Sequence, residues 1–265
     1  MSMMARRRAA IRQRFAGPWG CRGLHKAASL RASNFLPLFG YNSGAMALSY
    51  RGTYGAQALP VQSLLAQVLG ITALGLLVTA ISAHLFTALA PGSALGWVAF
   101  GIGFLLLFGI HAVRQNEAMA LLLYYVFTFL MGVWIGPVVG MYVRAIGPAV
   151  VTEAATTTGL GMLTLAVIVY ATGLDFRRFS GIASGALLAL VVAGIVSIFT
   201  HWIHPTVYAW LTLAVFSLLT LIDFARIRSG GDGLSPVQMA VQLYLDTINI
   251  FLALLQIFGG CSRQD

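Results

Sequence analysis

The sequence predicts an all-α integral membrane protein, a seven-transmembrane-helix bundle, and three observations predict it. Apolar residues make up 59% of the 265-residue chain and charged ones only 9%, against roughly 25% charged in soluble domains. The mean hydropathy is +0.86. From Pro60 onward seven apolar runs follow one another, each close to the ~20 residues a spanning helix needs. They lie at roughly 64–86, 94–113, 118–142, 149–171, 181–202, 206–225 and 236–258. The connectors APGS, RQNE, RAIGP, GLDFRR, HWIHP and RIRSGGDGLSP leave no room for a soluble domain.

Three segments follow: a basic, disordered leader over 1–59, a transmembrane domain over 60–260 and a short tail over 261–265. Residues 1–60 hold nine basic residues and no acid, while 61–265 hold seven of each, so the +9 formal charge belongs to the leader. An Arg-rich, acid-free leader resembles a mitochondrial transit peptide; the alternatives are a cytosolic arm or sequence upstream of a start at Met46. Anionic headgroups attract such a segment as well as nucleic acid does, and no nucleic-acid partner is expected. Cys21 and Cys261 belong to no CxxC or Cys/His cluster.

The third run carries Gly132, Gly136 and Gly140 at every fourth position. That spacing lets two backbones approach closely, either within the chain or as a hinge or dimer face. Pro137 lies among them and is expected to kink the helix. Glu117 reads as a helix-start charge. In the fourth run, Glu153 with Thr156, Thr157 and Thr158 suits either a cation-attracting vestibule or a carboxylate favoured by the helix dipole. His201 and His204 share a face near the end of the fifth run, but no third ligand lies nearby in sequence. DFRRFSG after the fourth run and DFARIRSG at the end of the sixth echo one another.

The last run carries a polar stripe. Gln238, Gln242 and Asp246 are four apart and Asn249 follows three later, which puts them on one helix face. Such a face meets protein or water, since lipid cannot satisfy it. Amides alone are explained as interhelical glue; an aspartate is not, because ionisable groups inside a membrane are expensive. Asp223, near the end of the sixth run, has Arg226 and Arg228 within reach to neutralise it. Asp246 lies ten residues after Pro236, or ~15 Å of helix. The two carboxylates therefore differ in depth unless the sixth helix continues towards Ser229 or the seventh starts late. A meeting pair shares one proton and titrates in two coupled steps, one of them nearer neutrality. Arg114, at the end of the second run, is at the level to oppose that shift.

If the N-terminus is cytosolic, the inside connectors hold Arg114, Arg177, Arg178, Arg226 and Arg228, and the outside connectors only Arg144. That bias satisfies the positive-inside rule and puts the C-terminus outside. No GxSxG, HExxH, phosphate loop or dinucleotide fingerprint occurs in proper context, so neither an enzyme nor a bound cofactor is expected.

The ending SPVQMAVQLYLDTINIFLALLQIFGG resembles the Bax inhibitor family, also called the transmembrane BAX inhibitor motif family. Its YetJ-like and YccA-like bacterial members end in a similar segment; here Thr247 replaces the usual Phe and Gln256 the usual Arg. LLTLIDFARI, LLLYYVFTFLMGVWIGPVV, PAVVTEAATTT and LDFRRFSG extend the likeness over roughly residues 60–260. The resemblance implies a seven-helix bundle with the last helix central and a pH-sensitive calcium leak. It implies a paired-aspartate sensor at Asp223 and Asp246, which are also the candidate Ca2+ ligands, and a latch at Arg114. Glu153 matches an acidic family position. The alternative is an interaction protein without ion flux, since YccA-like relatives are associated with a membrane-bound AAA protease and others with cell survival. The expected surroundings are the lipid bilayer of a bacterial inner membrane, or a mitochondrial inner membrane if the leader is an import signal.

Overall fold

The computed structural model describes residues 61–200 and 203–261, apart from the side chains of Ile198 and Cys261. Readings on residues 1–60, on His201 and on 262–265 lie outside the described residues. The described chain forms seven helices: α1 Val61–Leu85, α2 Ala94–Ala112, α3 Glu117–Ala145, α4 Ala149–Thr172, α5 Ser180–Thr200, α6 Pro205–Arg228 and α7 Pro236–Cys261. A 3-10 turn, Phe176–Phe179, precedes α5. All seven helices are long and apolar enough to cross a membrane.

Local chemistry sets several ends. Ser93 and Asn116 accept from the backbone N–H of Gly96 and Met119 and so cap α2 and α3. Gly173, in the left-handed region (φ 66°), closes α4. Three Arg228 contacts, to the carbonyls of Val169, Gly173 and Leu174, satisfy that same end. His204 caps α6, with Pro205 at its first position. Ser235 and Gln238 form a reciprocal capping box at the start of α7: Ser235 N–H donates to Gln238 Oε1 (3.0 Å), and Gln238 N–H to Ser235 Oγ (3.2 Å).

The last helix is the centre of the bundle. Of the α7 span, 61% is buried, against 11–44% for the other six. Its side chains enter every apolar cluster: Val241 and Tyr244 between α2 and α3, Met239 and Leu243 against α1, α4 and α6, Leu254 and Leu255 towards α4, α5 and α6, and Ala253 and Ile257 against α6. Outward faces carry Leu105, Leu163, Ile182 and Phe199, all exposed, as lipid contact requires.

The glycine spine of α3 packs on α1. Ideal Cβ atoms on Gly132 and Gly136 would meet Thr79 O at 2.6 Å and Ala83 O at 2.5 Å, and one on Gly140 would collide with Thr87 O. The repeat is thus used within the chain, and α3 runs through Pro137 as one helix. A hydroxyl cluster joins the same helices to α7. The hydroxyls of Thr79 and Tyr244 are 2.6 Å apart, and Thr79 Oγ1 lies 2.8 Å from Thr128 O.

Candidate functional site

The α6–α7 hairpin brings the two aspartates of the sequence together. α6 stays helical to Arg228, three residues beyond the boundary read from hydropathy, and ends on Ser229, which donates to the carbonyls of Ala225 and Arg226. This is the extension the depth argument asked for. The turn back is made by Gly230, Gly231, Asp232 and Gly233, all with positive φ. Glycine adopts that backbone without strain, and aspartate is among the few other residues that tolerate it.

Asp223 and Asp246 are buried, at 8% and 4% exposure. The Thr220 hydroxyl lies 3.2 Å from Asp246 Oδ2. Arg226 Nη1 donates to Asp223 Oδ1 and to Gln242 Oε1, both at 2.9 Å. Asp246 lies within electrostatic reach of both Asp223 and Arg226. One guanidinium thus joins Asp223 to an amide of the stripe, while Asp246 is held by the Thr220 hydroxyl. A buried ion needs such partners, because desolvation costs several kcal/mol per charge.

The network continues to the surface. Arg226 Nε stands 3.8 Å from Asp232 Oδ2, and Arg177 Nη1 donates to Asp232 Oδ1 (2.7 Å) and to Ser229 Oγ (3.0 Å). Arg177 also pairs with Asp175 through Nε (2.9 Å). The Arg177 hydrogen bonds hold the exposed Asp175 carboxyl below the usual carboxylate range. The two echoed segments, DFRRFSG and DFARIRSG, therefore touch one another through this cluster.

Other expected residues sit elsewhere. Arg114 is exposed in the α2–α3 turn and pairs with neither aspartate; the arginine beside Asp223 is Arg226. The reason is local: the extra turn of α6 keeps Arg226 helical, and three-residue spacing puts it beside Asp223. Glu153 is exposed on α4, and Thr156 and Thr158 donate to their own helix, Thr158 to Ala154 O at 2.7 Å. Gln238 is consumed by the α7 cap. Asn249 Nδ2 donates to Leu245 O (2.8 Å). His204 Nδ1 accepts from Thr206 N–H.

Among the described residues no three His, Cys, Asp or Glu side chains gather as a metal centre. Asp223, Asp246, Thr220 and Gln242 offer oxygen donors of the hard type calcium takes, but fewer protein groups than its six to eight ligands, and Arg226 already sits on two of them. This donor set suits brief contact with a partly hydrated cation better than tight storage.

The family model described as inhibitor of apoptosis-promoting Bax1 matches residues 61–263. The chain belongs to this Bax inhibitor family. Its relatives include a Helicobacter pylori protein, 29% identical over 64% of this chain and 74% of its own length. A Vibrio cholerae membrane protein is 28% identical over 60% of this chain and 72% of its own length. Human protein lifeguard 3 is 26% identical over 73% of this chain and 67% of its own length. As a Bax inhibitor family member the protein is a multi-pass membrane protein, and the family match spans all seven helices and the carboxylate pair.

Proposed function

We propose that the protein is a pH-sensitive cation leak, with calcium as the physiological permeant, governed by Asp223 and Asp246. The observation that carries this reading is that two buried carboxylates on adjacent helices lie within electrostatic reach of one another, with Arg226 hydrogen-bonded to one of them, Asp223. Paired carboxylates sharing a proton respond to pH far from the ~4 of a lone aspartate. In this reading Arg226, in the place first expected for Arg114, holds the closed state by occupying oxygen atoms that a cation needs. The arginine-bearing turns face the cytosol and the C-terminus faces outward, as the positive-inside rule supports. A bacterial inner membrane is the proposed setting.

The test is calcium flux into proteoliposomes between about pH 6 and 8, the range in which proton sharing moves a carboxylate's response. Asp223→Asn and Asp246→Asn should each flatten the pH response, and together do little more, as groups acting as one unit do. Arg226→Ala should raise basal leak. An unchanged pH response in both monodisperse Asn variants would falsify the assignment. A second reading, an interaction protein in cell survival or beside a membrane-bound AAA protease, draws support from the family description and from the lifeguard relative. It expects no ion flux in any variant.

A further inference from the structure

Away from the carboxylates, at the end where α5 meets α6, two adjoining cavities lie between α5, α6 and α7. One, of about 320 Å³, is lined by Ser197, His204, Pro205, Tyr208 and Gln256. The other, of about 210 Å³, shares Tyr208 and Gln256 and runs deeper to Thr212, Asn249 and Phe216. The lining is mainly apolar, with polar side chains contributed by Ser197, His204, Tyr208, Thr212, Asn249 and Gln256. Ser197 Oγ is buried without a hydrogen-bond partner. No hydrogen bond among the described residues engages the Gln256 amide, and Asn249 uses only its Nδ2, on its own helix. The Tyr208 and Thr212 hydroxyls donate to Leu190 O and Tyr208 O, which leaves Ser197 Oγ and the Gln256 amide as the groups that water would satisfy, each molecule taking about 30 Å³ and two to four polar partners.

The cavities align with the polar face of α7. Asn249 is three residues beyond Asp246, ~4.5 Å along the helix, and Gln256 continues the same line. Across from them, Thr212, Phe216 and Thr220 descend α6 at four-residue intervals, and Thr220 is the hydroxyl on Asp246. Phe216 lines the deeper cavity and is itself buried with Leu190, Ile250 and Leu254. Phe216 therefore stands one helical turn, ~6 Å along α6, from Thr220, the hydroxyl on Asp246. No lysine or arginine lines either cavity, and Asp246 lies one helical turn from Asn249 along α7.

We propose that this cleft is an aqueous vestibule for hydrated cations, and that Phe216 is the apolar gate separating it from Asp246. The proposal rests on the leak reading for its purpose, but water access is measurable without flux. The full-length protein, with Cys21→Ser and Cys261→Ser, receives single cysteines at Gln256, Asn249, Thr220 or the outward-facing control Leu211, which is 47% exposed on α6. Modification in liposomes is followed with methanethiosulfonates bearing a trimethylammonium or a sulfonate group.

The Gln256→Cys and Asn249→Cys proteins should react at least an order of magnitude faster than Leu211→Cys, and faster with the cationic reagent. Thr220→Cys should stay unreactive until Phe216→Ala is added, with Phe216→Leu intermediate; the Leu variant keeps the test available if Ala destabilises the fold. Asn249→Cys reacting no faster than the control overturns the vestibule. Thr220→Cys reacting freely beside an intact Phe216 overturns the gate. Fast, gated labelling in a protein that passes no calcium preserves the vestibule and removes the leak reading instead.

Discussion

Gly136 and Gly159 are both helical glycines in a membrane bundle, yet their surroundings differ completely. A Cβ on Gly136 would sit 2.5 Å from Ala83 O, a backbone atom that cannot swing away, whereas one on Gly159 meets nothing within 4 Å. Gly136→Ala should therefore destabilise the protein by ~1–3 kcal/mol through overpacking. Gly159→Ala should be neutral or slightly stabilising, since alanine is the better helix former. Thermal melting in one detergent checks the contrast, and equal losses at both sites would remove the α1–α3 packing argument. The glycine repeat is legible in the sequence, but its partner is not, because spacing names a close approach without naming which helix approaches. The same limit explains Arg114 and Arg226. Depth along a span allows either arginine; only the extra turn of α6, past the hydropathy boundary, selects the one at three-residue spacing from Asp223.

At the scale of elements, the 3-10 turn after α4 and the α6–α7 turn are tied by Arg177 to Asp175, Ser229 and Asp232. Asp175 has its folded pKa lowered by the Arg177 hydrogen bonds. A lowered carboxylate value contributes stability above the unfolded ~3.9 and loses it as pH falls through the folded value. Asp175→Asn should thus lower the melting temperature slightly at neutral pH, the effect being small because the group is solvent-exposed. The gap from the parent protein should close as the pH falls below about 4. A gap that persists unchanged in acid would mean the side chain acts by packing alone. Hydropathy placed all seven helices within a few residues, since burial in lipid leaves a long, one-dimensional signal. The Ser235–Gln238 cap shows only in the structure; the stripe pattern alone assigns Gln238 to the site. The cavities left no such trace, because a void depends on three helices at once.

For the whole molecule, the arginine bias and the odd number of spans expect the α4–α5 connector and the C-terminus on opposite faces of the membrane. Reporters placed at residue 174 and after residue 265 should report opposite compartments; agreement between them would exclude the seven-span topology. The central position of α7 carries a further consequence, for the order in which the bundle is made. The helix that touches every cluster and carries Asp246 also follows the other six described helices out of the ribosome. A carboxylate at the middle of a span costs about 2.5–3.5 kcal/mol to place in lipid by insertion scales. Made after α6, α7 has the Thr220 partner of Asp246 already synthesised when it inserts. The chain's order thus does for Asp246 during synthesis what the Arg226 guanidinium does for Asp223 once folding is complete.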